Sequence, residues 1–127
     1  MNPISGVIAA MDTPFDDQGA VSPDRIKALV DFLFARGVKG FFLCGSTGLF
    51  SVLSVEERKM VARTVLDHLG GALPTLVNVG TPNTADSIIL AEHAAQHGAQ
   101  GVVLMEPVGV RHEQEAVYEH FGLICEA

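Results

Sequence analysis

Four short apolar runs punctuate the chain: Val7–Met11, Phe41–Cys44, Thr75–Val79 and Val102–Met105. Each is near-continuous rather than alternating, which predicts parallel strands buried on both faces. Between and after them the apolar period lengthens to three and four, the spacing of amphipathic helices. The first helix begins at Ser22-Pro23-Asp24, where a capping hydroxyl precedes proline, carries Ile26, Leu29, Val30 and Leu33 on one face, and ends at Gly37. Ser54-Val55-Glu56-Glu57 is a capping box that opens a second helix along Val61, Val65 and Leu69 to Gly70-Gly71. A third runs from Asn83-Thr84 through Ile88, Ala91 and Ala95 to Gly98, and a fourth starts near Glu113 with Val117, Phe121 and Ile124 as its buried line.

An internal echo supports a repeating unit. Arg36-Gly37-Val38-Lys39-Gly40-Phe41-Phe42-Leu43 and His97-Gly98-Ala99-Gln100-Gly101-Val102-Val103-Leu104 both read as helix end, glycine stop, short link and strand. The result is an α/β chain of four βα units with parallel strands, near residues 7–37, 41–71, 75–98 and 102–127. Periodicity leaves two architectures open: a doubly wound open sheet, or the first half of a (β/α)8 barrel of roughly 250 residues.

Composition narrows the partners. Hydrophobic residues make up 48% of the 127 and charged residues 18%, enough apolar surface for a folded core. Fifteen acidic against eight basic residues give a net charge of −7 with no basic cluster, which excludes a nucleic-acid surface built on phosphate neutralisation. Cys44 and Cys125 are far apart and read as free buried thiols in a reducing compartment. The start, Met1-Asn2-Pro3-Ile4-Ser5, lacks a basic leader, and no apolar run approaches a membrane span, so a cytoplasmic protein with no membrane partner is expected.

In either architecture ligands gather at the carboxyl ends of the strands, so chemistry is sought after Met11, Cys44, Val79 and Met105. Gly45-Ser46-Thr47-Gly48 follows the second strand; two glycines let backbone approach an anion while two hydroxyls donate to it, and the same pattern also serves as a tight turn. Thr13, in Asp12-Thr13-Pro14-Phe15, offers a hydroxyl at the same rim or simply the exit from a strand. Asp16-Asp17-Gln18-Gly19 reads as a solvated turn. His93 and His97 stand four apart, yet Glu92-His93-Ala94-Ala95-Gln96-His97 is not H-E-x-x-H and no third ligand is evident, so no metal is expected. His68, His112 and His120 read as loop or helix-surface residues.

Gly6–Phe15, then Gly45-Ser46-Thr47-Gly48, then Leu53-Ser54-Val55-Glu56-Glu57-Arg58, followed by Val79-Gly80 with Thr84 and Gly98–Gly101 with Pro107, resemble the dihydrodipicolinate synthase and N-acetylneuraminate lyase family. The resemblance covers essentially the whole chain in order and spacing. It implies the amino-terminal half of a (β/α)8 barrel of Schiff-base aldolases that join or release pyruvate and an aldehyde, with no cofactor. Gly45, Ser46 and Thr47 match the loop that holds the carboxylate of the pyruvate unit, with Thr13 beside it. Ser46 also matches the position that takes part in a proton relay.

The sequence departs from the family pattern in three ways. Leu49-Phe50 stands where the family places glutamate after the loop, and Pro107 is followed by Val108-Gly109 rather than an aromatic pair, which favours a member other than the lysine-biosynthetic synthase. Third, the Schiff-base lysine and its tyrosine partner are expected on later strands: Lys27, Lys39 and Lys59 lie on the first helix, before the second strand and on the second helix, and Tyr118 reads as a packing residue of the fourth helix. The chain by itself is therefore expected to be inactive, acting as a homo-oligomer or with the missing half. The competing reading is a non-catalytic module that binds a small anion or self-assembles as a half-barrel.

Overall fold

The computed structural model describes residues 4–106 and 113–127. Four strands alternate with four helices: β1 (Ile8–Ala10), α1 (Pro23–Ala35), β2 (Gly40–Leu43), α2 (Val55–Leu69), β3 (Thr75–Asn78), α3 (Thr84–Gln96), β4 (Gly101–Val103) and α4 (Gln114–Cys125). The strands form one parallel sheet in the order β1-β2-β3-β4, so each neighbour in sequence is a neighbour in space. A doubly wound sheet reverses its strand order at a switch point; this one advances in a single direction, as a barrel does.

The local signals that delimit the helices are all present. Ser22 Oγ accepts from the Arg25 amide, Ser54 and Glu57 exchange the two bonds of a capping box, and Asn83 Oδ1 accepts from Ala85 and Asp86. Gly37 and Gly98, the two stops of the echo, share φ of +83° and donate to Phe34 and Ala95 three residues back. The Asp16 turn is closed by Asp16 Oδ1, which accepts from the amides of Gln18 and Ala20.

Register divides the sheet into two faces. Ala9, Phe41 and Thr75 are in register, as are Leu43, Val77 and Val102, and this face packs on the helices. Its Phe41, Leu43 and Val77 join Ile26 and Val30 of α1, Val61 and Val65 of α2 and Leu90 and Ala94 of α3 in one buried cluster. Ala10, Phe42, Leu76 and Gly101 are in register on the opposite face, the one a closed barrel turns inward. That face is open: Phe42 and Leu76 are only half-buried and Ala10 is exposed.

The end strands are not buried on both faces, since Val7 is 69% and Val102 40% exposed; a sheet edge with no further neighbour among the described residues leaves them uncovered. The fully buried residues of α3 are Ser87, Leu90 and Ala94; of the expected line, Ile88 and Ala91 pack half-buried against the core and Ala95 is exposed. Ser87 takes the core position because its hydroxyl is satisfied by the Thr81 amide at 3.0 Å. His120 is buried rather than on the surface, its Nδ1 paired with Thr84 Oγ1 at 2.8 Å across the α3–α4 contact. Tyr118 is 81% exposed and packs against nothing in the core, and Cys125 is exposed whereas Cys44 is buried.

Candidate functional site

The β2 strand ends in an abrupt change of direction. Cys44 has φ of +53°, a left-handed conformation that costs a residue with a Cβ roughly 1–2 kcal/mol, and the chain then enters Gly45-Ser46-Thr47-Gly48. Leu49 is left-handed as well, at φ +59°, and a 3-10 turn over Phe50–Val52 leads to the α2 cap at Ser54. The two glycines are there for close approach. A Cβ on Gly48 would lie 3.0 Å from the Met11 carbonyl oxygen and 3.1 Å from the Cys44 nitrogen, and one on Gly45 would lie 2.7 Å from the Phe42 ring. Both glycines are buried while Ser46 and Thr47 between them are exposed, so the loop is anchored at its ends and presents its two hydroxyls outward.

Thr13 is one of the anchors. Its side chain is 5% exposed and Oγ1 donates to the Gly48 carbonyl at 2.7 Å, which ties the end of β1 to the far end of the loop. The hydroxyl proton is thus committed to the backbone, and Thr13 supports the loop from beneath while Ser46 and Thr47 face solvent.

Two further residues converge here that the sequence reading did not single out. Arg58, 4% exposed, donates from Nη1 to the Gly80 carbonyl at 3.0 Å and from Nη2 to the Asn78 carbonyl at 2.6 Å. Its Nε finds no hydrogen-bond partner among the described residues, and burial pulls its pKa below the usual arginine range. The signal was available: Arg58 lies in helical phase with the buried Val61, Ala62 and Val65, where a charge demands a partner. Asn78, fully buried, donates from Nδ2 to the Cys44 carbonyl at 2.7 Å and accepts from the Gly80 amide at 3.0 Å.

Burial pushes the Cys44 thiol up to about 11, against the opposing pull of Arg58. A thiol with that pKa is neutral at physiological pH and a poor nucleophile. Treatment of the folded chain with iodoacetamide at pH 7.5 is therefore expected to modify Cys125 alone, with Cys44 reacting only after denaturation. Peptide mass spectrometry reads the two sites separately, and rapid native labelling of Cys44 would contradict the burial.

The three lysines lie away from this rim. Lys27 is exposed on α1, Lys39 precedes β2 at the amino end of the sheet, and Lys59 on α2 pairs with Glu56 at 2.9 Å. Of the histidines, His97 pairs with Asp67 at 2.9 Å and lies with its ring tilted against that of His93, centroids 4.5 Å apart, and His68 pairs with Asp31 at 2.7 Å, all on the helices. Among the described residues no three of His, Cys, Asp and Glu converge as a metal site would require. Pro107, Val108, Gly109 and His112 lie outside the described residues. A cleft of about 430 Å³ opens on the same rim between Phe50, Arg58, Gly80 and Met105, beside the loop hydroxyls rather than over them.

A one-directional parallel sheet of four βα units, with an anchored hydroxyl loop at the carboxyl ends of its strands, defines half of a (β/α)8 barrel with a rim site. The dihydrodipicolinate synthetase family profile matches residues 3–127, and the chain belongs to that family. It is 36% identical over 124 residues to the 4-hydroxy-tetrahydrodipicolinate synthase of Pseudomonas aeruginosa, covering 98% of this chain and 42% of that one. Among solved structures, YagE of Escherichia coli K12 in complex with pyruvate superposes with a TM-score of 0.90 at 35% identity, over 95% of this chain and 41% of that one. The N-acetylneuraminate lyase of Mycoplasma synoviae gives 0.94 at 26% identity, over 98% and 43%. The chain thus spans less than half the length of the relatives it matches, and the match falls on their amino-terminal half. No helix of the described residues is long and apolar enough to cross a membrane.

Proposed function

We propose that this chain supplies the carboxylate-holding half of a cytoplasmic, pyruvate-dependent Schiff-base aldolase, without the lysine that attacks the ketone. The observation that carries the reading is the anchored loop: Ser46 and Thr47 exposed on the rim between buried Gly45 and Gly48, in a chain whose lysines all lie elsewhere. Family membership and the pyruvate in the related YagE structure support the ligand class. Backbone amides of the loop and the two hydroxyls donate to the carboxylate of a 2-oxo acid and fix its orientation, so that the adjacent ketone carbon meets an amine at a set distance and angle. The amine forms a carbinolamine and then, with loss of water, an imine. In this scheme Ser46 also relays a proton during those steps, and Thr13 holds the loop that carries it.

Incubation of the chain alone with pyruvate and borohydride is expected to leave its mass unchanged, because none of its three lysines stands at the rim for the imine to form and be reduced. A stoichiometric adduct on Lys27, Lys39 or Lys59 would overturn this reading.

The open sheet face favours a second property, association through that face. Phe42 and Leu76 are half-buried there, and among the described residues β1 and β4 have no strand on their outer edges. Sedimentation equilibrium is expected to give a dimer or larger species of this chain, and a well-folded monomer at micromolar concentration would count against it.

A further inference from the structure

The loop hydroxyls can hold an anion only if the chain leaves β2 in the direction it does, and that direction rests on one unfavourable torsion, the left-handed Cys44. Cys44 is 1% exposed, so its backbone carbonyl needs a partner inside the protein. The partner is Asn78 Nδ2, at 2.7 Å across the β2–β3 boundary. Asn78 is in turn held on two sides: its Oδ1 accepts from the Gly80 amide, and its own carbonyl accepts from Arg58 Nη2 at 2.6 Å. Arg58 also takes the Gly80 carbonyl, and it reaches β3 from the first turns of α2, the helix into which the loop leads. The loop is therefore bracketed from both directions. Upstream, Asn78 fixes the residue before Gly45; downstream, Arg58 fixes α2 to the carbonyls of Asn78, at the end of β3, and of Gly80, two residues on.

We propose that Asn78 and Arg58 are positioning residues for the Gly45–Gly48 loop, locking the left-handed turn at Cys44 so that Ser46 and Thr47 converge on one carboxylate. The inference rests on the carboxylate reading of the loop but adds two residues that touch no ligand. Both side chains are buried and donate to backbone carbonyls, so their effect on binding passes through the backbone of Cys44 and the start of α2. An amide in a strand and an arginine on a buried helix face have a common reason here: each satisfies carbonyls that a turning chain leaves without ladder partners.

The test compares the 15N,13C-labelled chain with its Asn78→Ala and Arg58→Lys variants in two readouts: pyruvate affinity from amide shifts of Gly45 to Leu49, and the Cα and Cβ shifts of Cys44, which report its backbone torsion. Asn78→Ala is expected to weaken pyruvate binding about tenfold and to move the Cys44 shifts away from left-handed values, while amides of α1 and α3 stay in place. Arg58→Lys, which keeps the charge but loses the two-carbonyl fork, is expected to weaken binding in the same sense. Where Asn78→Ala fails to fold, Asn78→Asp keeps the volume and the acceptor for the Gly80 amide and sets an oxygen of an ionisable carboxyl against the Cys44 carbonyl in place of the donor. Pyruvate affinity within twofold of the parent with unchanged Cys44 shifts would overturn the proposal. A parent chain that shows no response to pyruvate counts against the carboxylate reading instead. The Cys44 shifts then decide the positioning role alone, supporting it if they move in the Asn78 variants and overturning it if they do not.

Discussion

Replacing Phe41 by alanine is expected to destabilise the chain by about 3–5 kcal/mol, while the same change at the adjacent Phe42 costs much less. Phe41 is fully buried on the helix-facing side of the central strand β2, in the cluster with Ile26, Val30, Val61 and Val65. Phe42 is half-buried on the open side, its ring laid against Gly45. A small domain holds only about 5–15 kcal/mol of net stability, so the loss at Phe41 is a large fraction of the whole. Urea unfolding followed by circular dichroism measures both. Equal losses at the two positions would mean that the open face is as well packed as the helical one, contrary to the half-barrel described above.

The pairing of these two phenylalanines also indicates what the sequence could and could not convey. Strand positions and helix boundaries were legible because their determinants are local: Ser54 and Glu57 cap a helix between themselves, and Gly37 and Gly98 stop one by their own φ. The parallel order of the strands followed from the strand-helix period. What a linear pattern could not carry was cover. The runs around Val7 and Val102 look like interior strands, and their exposure depends on what lies beyond the sheet edge. Ser87 of α3 and His120 of α4 were not expected in the interior because they are polar, and Thr81 and Thr84 supply the partners that let them lie there.

The site was legible in part. Glycines flanking two hydroxyls marked the loop, and the structure brings Thr13 and that loop together through the Gly48 carbonyl. Thr13 faces the backbone rather than solvent, a distinction that depends on the distance between two segments 35 residues apart. Arg58 and Asn78 escaped notice for the same reason. Their partners are carbonyls of Cys44, Asn78 and Gly80, and only the register of β2 against β3 brings those within reach.

Loss of both loop hydroxyls, in a Ser46→Ala, Thr47→Val double variant, is expected to weaken pyruvate binding on the order of 100-fold, since hydrogen bonds to a charged group contribute about 1.5–3 kcal/mol each. Stability should hardly change, because both side chains are exposed and Thr→Val keeps the branched shape. The two effects together separate a ligand-holding loop from a tight turn, which would lose nothing with its hydroxyls.

Titration of pyruvate, and separately of phosphate, into the 15N-labelled chain and this double variant tests the central claim most directly. The account predicts saturable amide shifts centred on Gly45 to Gly48 with pyruvate, nearly abolished in the variant. A response to phosphate alone, or pyruvate shifts that survive the loss of both hydroxyls, would contradict it.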